Sequence, residues 1–168
     1  MVHPLVDQLR FTRTEWLRAL RRVPEADALR RIEPMNSIGW IVGHLAWQEQ
    51  RYFVTRGQGL TLVPVLNDVA ASGGPPTTPP LQEMLSAWRT VTRAAEPWLD
   101  ALTTDLLIAT LPGPGARRSV GDAIQRTTYH YWFHIGEILA IRQSLGHSGL
   151  PEFVGNIETR APFRRQAD

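Results

Sequence analysis

The chain has no cysteine among its 168 residues. Disulfides, thiolate-ligated zinc and a protein-borne thiol nucleophile are therefore excluded. Any metal must be held by nitrogen and oxygen donors, and any thiol chemistry must use a small-molecule thiol. Lysine is missing as well: all 18 basic residues are arginine, set against 16 acidic residues for a net charge of +2. The sequence pI of about 9.6 thus reflects the high pKa of arginine and not a large surplus of charge. Acidic residues are interspersed among the basic ones, so no stripe for nucleic acid is expected, and Arg21-Arg22, Arg30-Arg31 and Arg117-Arg118 are read as solvated helix ends and loops. The longest apolar run, Ile38 to Trp47, is half of what a bilayer requires and contains a histidine. The first ten residues lack the cationic, apolar and small-residue order of a secretory signal. The expectation is a soluble, cytoplasmic protein with no membrane or nucleic-acid partner. A Gly-rich phosphate loop, a Gly-x-Ser-x-Gly elbow, a paired-glycine dinucleotide fingerprint and a repeat of 20 to 50 residues are all absent from the sequence.

What remains is helical patterning. A chain of this length buries about 70% of its unfolded surface as one domain, expected over residues 1–168 with a core of about 5–146 and a tail of 147–168. A first helix is predicted after Pro4, with Leu5, Leu9, Phe11, Trp16, Leu17 and Leu20 mostly on one face, stopping near Pro24. A second begins near Asn36 or Ser37 and runs to about Thr55, with Gly57 as its stop signal. From Arg56 to Pro80 the Gly, Pro, Ser and Thr content predicts a long crossover loop. The third helix carries Leu81, Met84, Leu85, Trp88, Val91, Ala95, Trp98, Leu99 and Leu102, with Pro97 expected to kink it or end it early. After a turn-rich stretch whose strongest breaker is Pro112-Gly113-Pro114-Gly115, a capping box at Ser119 and Asp122 opens a fourth helix that continues to Leu145 before Gly146. The fold expected is all-α, a four-helix bundle with a long crossover between helices 2 and 3 and an extended C-terminal tail lying over it.

Histidines carry the functional signal. His130 and His134 are four apart and share one helix face, and His44 is central in the run Ser37 to Glu49. Three imidazoles from two helices suit a catalytic metal site, three protein ligands with positions left open for water or substrate. The competing reading is a set of core histidines, each satisfied by one hydrogen bond; a buried His44 without a partner would be costly. His130-Tyr131-Trp132-Phe133-His134 has metalloprotease spacing without the glutamate that follows the first histidine. Helical geometry places Arg126, Thr127 and Glu137 near the His130 and His134 line, and Trp40, Gln48 and Arg51 in the His44 stack, as candidate pocket wall. Glu137 is a candidate acceptor for a ligand N–H, general base or fourth ligand, or a plain surface glutamate. Glu49 points away from His44 and is read as structural. Trp40, Trp47, Tyr131 and Trp132 are read more as core than as substrate clamp.

These residues, the Ser37 to Glu49 segment with His44, His130-x-x-x-His134 followed by Gly136-Glu137, and Leu145-Gly146, resemble the DinB-like superfamily of small metalloproteins over nearly the whole chain, from about Leu5 to Phe153. The resemblance implies a divalent metal, zinc or nickel, on His44, His130 and His134, commonly a homodimer, and no DNA binding. Relatives include S-transferases and isomerases using mycothiol or bacillithiol, some hydrolases and members without known activity. The function it implies is a metal-dependent S-transferase that activates a low-molecular-weight thiol for attack on an electrophile. Arg126 and Arg51 are candidates for holding the thiol's carboxylate or sugar groups. Two other readings stand beside it: a non-catalytic metal-binding, stress-associated protein, and a hydrolase using an activated water with Glu137 as base.

Overall fold

The computed structural model describes residues 2–114, 117–152 and 154–164. Helix α1 spans Pro4–Ala19, α2 Glu25–Ala28, α3 Ile38–Glu49, α4 Leu66–Val69, α5 Leu81–Asp100, α6 Thr104–Ile108, α7 Val120–Ser144 and α8 Ile157–Arg160, and a π-helical segment, Gln50–Arg56, continues α3. The chain is all-α in these residues, where the only extended pairing is one isolated bridge between Thr110 and Ser119. None of the described helices is long and apolar enough to cross a membrane.

Local chemistry explains where the long helices begin. Pro4 occupies the first turn of α1, where its missing N–H costs nothing, and the His3 imidazole accepts from Leu5 N at 3.1 Å. Ser37 Oγ accepts from Trp40 N at 3.1 Å to start α3. Ser119 and Asp122 close a reciprocal capping box at α7, at 3.0 and 3.2 Å. Glu25, on α2, lends a carboxylate oxygen to Leu81 N at 2.6 Å and so caps α5 from another element.

Several ends differ from the sequence expectation. Helix α1 stops at Ala19, five residues before Pro24, in a turn where Arg22 takes φ +58. Pro97 lies inside α5, which continues three residues beyond it to Asp100. The carbonyl that Pro97 leaves unpaired belongs to the exposed Arg93, while Leu99 is fully buried and Asp100 accepts from Arg10 at 2.7 Å, which holds the last turn. The crossover contains α4, and the C-terminal segment contains α8. That segment is fastened to α1: Gln8 donates to Ala161 O at 2.7 Å, Arg18 to Glu152 O at 2.8 Å, and Gly155 N to Glu15 at 2.9 Å. Phe153, Gly115 and the end of the predicted tail, residues 165–168, lie outside the described residues.

Helix α1 lies along α7 and α3 along α5, with α3 also meeting α7. Trp16 is wholly buried between these layers, 4.8 Å from the Trp88 ring and edge-on to Tyr131 at 5.6 Å. Beside it runs a polar chain through all four long helices. Arg13 Nε donates to Glu49 Oε1 at 2.9 Å and a second Arg13 nitrogen bonds Glu49 Oε2. Tyr131 OH donates to Glu49 Oε1 at 2.6 Å and accepts from Trp88 Nε1 at 2.5 Å. Burial works against charge on Arg13, but the Glu49 carboxylate overrides it and raises the guanidinium pKa. Burial together with Glu49 holds Tyr131 protonated well beyond its ordinary range.

Glycine permits one close approach that matters to the site. A Cβ on Gly39 would stand 2.1 Å from Pro79 O, so only glycine there lets the end of the crossover rest on α3.

Removing one partner of the buried pair is expected to be expensive and removing both cheap. Glu49→Leu should cost about 3–5 kcal/mol in urea unfolding, and adding Arg13→Met should recover most of it. A single variant within about 1 kcal/mol of wild type would mean that the pair does not hold the helices.

Candidate metal centre

The α3 cap at Ser37 sets the helix phase that turns His44 inward, and the i, i+4 spacing on α7 brings His130 and His134 to the same place. His44 and His134 are buried, at 6% and 5% exposure, and His130 is half-buried. One ring nitrogen from each lies within 4.8 Å of the others. His44 meets His130 and His134 with ring centroids 5.1 and 5.5 Å apart, and His130 meets His134 at 4.5 Å, all edge to face.

What the outer nitrogens do decides what the inner ones can offer. His44 Nδ1 bonds Ala70 O at 2.9 Å, His130 Nδ1 bonds Gln48 Oε1 at 2.6 Å, and His134 Nδ1 bonds Glu137 Oε2 at 2.7 Å. A backbone carbonyl, an amide oxygen and a carboxylate can only accept, so each Nδ1 carries the proton and donates. In His44 and His130, which burial keeps neutral, Nε2 then holds a lone pair. The Nε2 atoms of His130 and His134 stand 3.0 Å apart, a spacing that a proton or a metal ion between the two nitrogens accommodates. A zinc ion with nitrogens at ~2.0–2.1 Å in tetrahedral geometry sets its donors ~3.3–3.4 Å apart, so this pair is close to the spacing such an ion requires. The residues fit a metal: three nitrogen donors oriented by hydrogen bonds to their far sides.

Electrostatics agree with that assignment. Burial first, then the neighbouring His134, pulls His44 down to about 4, against the Ala70 bond that favours its charged form. Burial, followed by His134, His44 and the Arg126 cation, takes His130 to about 3. Both rings are neutral at pH 7, available to a metal and not already bound to a proton.

The remaining predicted site residues divide. Trp40 stacks on His44 at 4.6 Å, nearly parallel. Gln48 and Glu137 are in place as the acceptors that orient His130 and His134. Arg126 is exposed on α7, near enough for its charge to act on His130. The Arg51 guanidinium lies over Trp47, 5.3 Å from the ring centroid, beside a hollow of roughly 260 Å³. Thr127 is not a wall residue; it is fully buried and its hydroxyl bonds Ala123 O of its own helix at 2.8 Å. A β-branched residue at that helix position faces the core, one residue off the line that helical geometry drew.

Three contributors were not foreseen. Ala70 O comes from the crossover, where a backbone carbonyl leaves no sequence signal. Trp47, read as core, stacks on the second side of His44 at 5.5 Å; its i+3 spacing was the available clue. Phe133, 69% exposed, packs edge-on to His134 at 5.1 Å and stacks on His130 at 6.4 Å.

A family model described as the DinB superfamily matches residues 8–138, a span that includes all three histidines. None of the curated proteins matches the chain.

Two outcomes follow from the hydrogen bonds and the lowered pKa values. Gln48→Ala and Glu137→Ala, each of which frees one imidazole to rotate, should weaken metal binding ~10–100-fold in competition with a chromophoric chelator while far-UV circular dichroism is unchanged; undiminished affinity would show that these bonds do not orient ligands. In chelator-treated protein, the unfolded chain binds protons at His44 and His130 below pH 6.5 and the folded chain does not until about 4 and 3. Urea stability should therefore be level above pH 7 and fall as pH drops from 6.5 towards 4, and a flat profile across that window would contradict the burial argument.

Proposed function

The chain belongs to the DinB superfamily, and on that footing we propose that it is a metal-dependent S-transferase in which His44, His130 and His134 hold a divalent ion, zinc or nickel, and a low-molecular-weight thiol of the mycothiol or bacillithiol type attacks an electrophile. The four long helices are taken in this reading as a four-helix bundle. The protein is taken as a cytoplasmic homodimer whose partners are small molecules, with no nucleic acid and no membrane.

The observation that carries it is the convergence of one ring nitrogen from each of three histidines whose Nδ1 atoms all donate elsewhere. When bound, the ion would lower the pKa of a coordinating thiol and keep a nucleophile available at neutral pH. The protein's own groups do the rest. Trp40 and Trp47 clamp the His44 ring from both faces, and burial keeps His44 and His130 unprotonated. The thiol's proton passes to solvent, a carbon–sulfur bond forms as the electrophile's bond to its leaving group breaks or its ring opens, and the chain supplies no atom to the product.

Glu137 Oε2 is engaged with His134 at 2.7 Å, so in the thiol-transfer reading it serves to orient that ring, and a thiol acidified by a cation needs no further base.

Metal per chain, by mass spectrometry on untagged protein, should be close to one in wild type and lost in His44→Ala and in His130→Ala. Loaded wild type should then consume mycothiol or bacillithiol with a generic electrophile, and chelation should stop it. Bound metal without thiol consumption would support the non-catalytic reading, and well-folded protein that takes up neither zinc nor nickel would remove the metal itself.

A further inference from the structure

A second polar site lies where α1 and α7 both end. From His134 to Arg142 the helix rises about 12 Å, and the two sets of residues do not overlap. A cavity of roughly 770 Å³ opens there, lined among others by Arg18, Arg21, Arg22 and Arg142, within the ~300–1,000 Å³ usual for small-molecule sites.

Negative charge is short in this cavity. Asp27 is the one carboxylate among its lining residues, and it is already engaged by His147 Nε2 at 3.0 Å and by Arg30 at 3.7 Å. Arg142 is 5% exposed and bonds no carboxylate; it donates to Ala19 O at 2.5 Å and, through Nε, to His147 Nδ1 at 3.1 Å. Because His147 Nδ1 accepts, that ring is the neutral tautomer and donates to Asp27, so the Asp27 charge reaches Arg142 only across an uncharged imidazole. Burial lowers the Arg142 pKa, as expected for a cation withdrawn from water without a counter-ion. Arg18 reaches Glu15, yet its Nε is buried with no hydrogen-bond partner. Arg22 holds φ +58, a left-handed conformation uncommon outside glycine and asparagine.

Cations at helix C-termini offset the macrodipole, and that accounts for Arg142, which bonds a terminal carbonyl of α1. It accounts for neither the unpartnered Arg18 nitrogen nor the strained Arg22. We propose that this cavity is a binding site for a small multivalent anion, recognised through phosphate or carboxylate groups by the guanidinium forks of Arg142 and Arg18 within and Arg21 and Arg22 at the rim. Planar guanidiniums pair with either group in bidentate fashion, and a ligand there would supply the charge that Arg142 lacks. The site stands independently of the metal reading.

Isothermal titration of the metal-loaded full chain with pyrophosphate, and separately with citrate, at matched ionic strength, tests it. Wild type should bind at least one probe saturably, at one per chain, and the tighter of the two tells phosphate from carboxylate as the recognised group. Arg21→Ala with Arg22→Ala, both exposed positions, should weaken binding at least tenfold, while His130→Ala leaves it unchanged. Arg22→Gly is the control for folding: glycine accepts the left-handed backbone, so its melting temperature should hold or rise while binding falls at least threefold. Absence of saturable binding, binding that survives the arginine variants, or binding lost in His130→Ala, which would put the anion on the metal, overturns the proposal.

Discussion

The Arg13–Glu49 pair is the constraint on which the arrangement of the long helices depends. Withdrawing two charges from water costs several kcal/mol for each, and their attraction offsets that only when the geometry is right and the remaining lone pairs and protons are satisfied. Here they are: Glu49 also takes the Tyr131 hydroxyl, Tyr131 takes the Trp88 indole, and Arg13 reaches Glu96 at 2.5 Å. One polar chain thus involves α1, α3, α5 and α7. Apolar packing tolerates a slide of half a turn better than this chain does, because a slide leaves a buried charge unpaired. Glu49 is five residues beyond His44, and Tyr131 lies between His130 and His134. The register that pairs the charges is therefore the register that brings the three imidazoles together.

Helix α7 shows how one helix serves two purposes. Tyr131, Ile135 and Ile138 are inside the core, at 0 to 3% exposure. His130, His134 and Glu137 occupy a neighbouring strip, where His134 is buried by its surroundings and His130 remains half open. Phe133 and Tyr129, about 70% exposed, fall on the outside of that strip. The histidines stand at the border between core and solvent, desolvated enough for His44 and His130 to stay neutral and open enough for a ligand to approach.

That border was legible in the sequence because helical periodicity is a strong signal. The capping box at Ser119, the Ser37 cap and the i, i+4 histidines were each readable from residue type and spacing. Glu49 was read as facing away from His44, and it does lie in the core with Arg13. Legibility failed where position depends on a distant segment. Ala70 reaches His44 only because the crossover is fastened down, by Gln50 to Leu62 N, Val63 N and Val63 O at 2.7 to 3.0 Å and by the bare backbone at Gly39 under Pro79. At Pro97 the helix runs one turn further than local preference alone suggests, held by the packing of Leu99 and the ion pairs of Glu96 and Asp100 to Arg10. Thr127 lies on the core side of α7, and Arg51 lies in the π-helical segment, where α-helical spacing from His44 no longer holds.

The crossover therefore belongs to the site as much as the helices do. The three acceptors behind the histidines differ in kind: a loop carbonyl for His44, an amide on α3 for His130, a carboxylate on α7 for His134. Only the last is anionic, and a carboxylate behind an imidazole makes that ring the most electron-rich of the three. On the proposed reading, three neutral rings and one nearby carboxylate leave a divalent ion with net positive charge in a partly desolvated place, where Coulomb attraction is stronger than in water. Such a site favours an anionic partner over a neutral one, and so favours the ionised form of whatever ligand is held there.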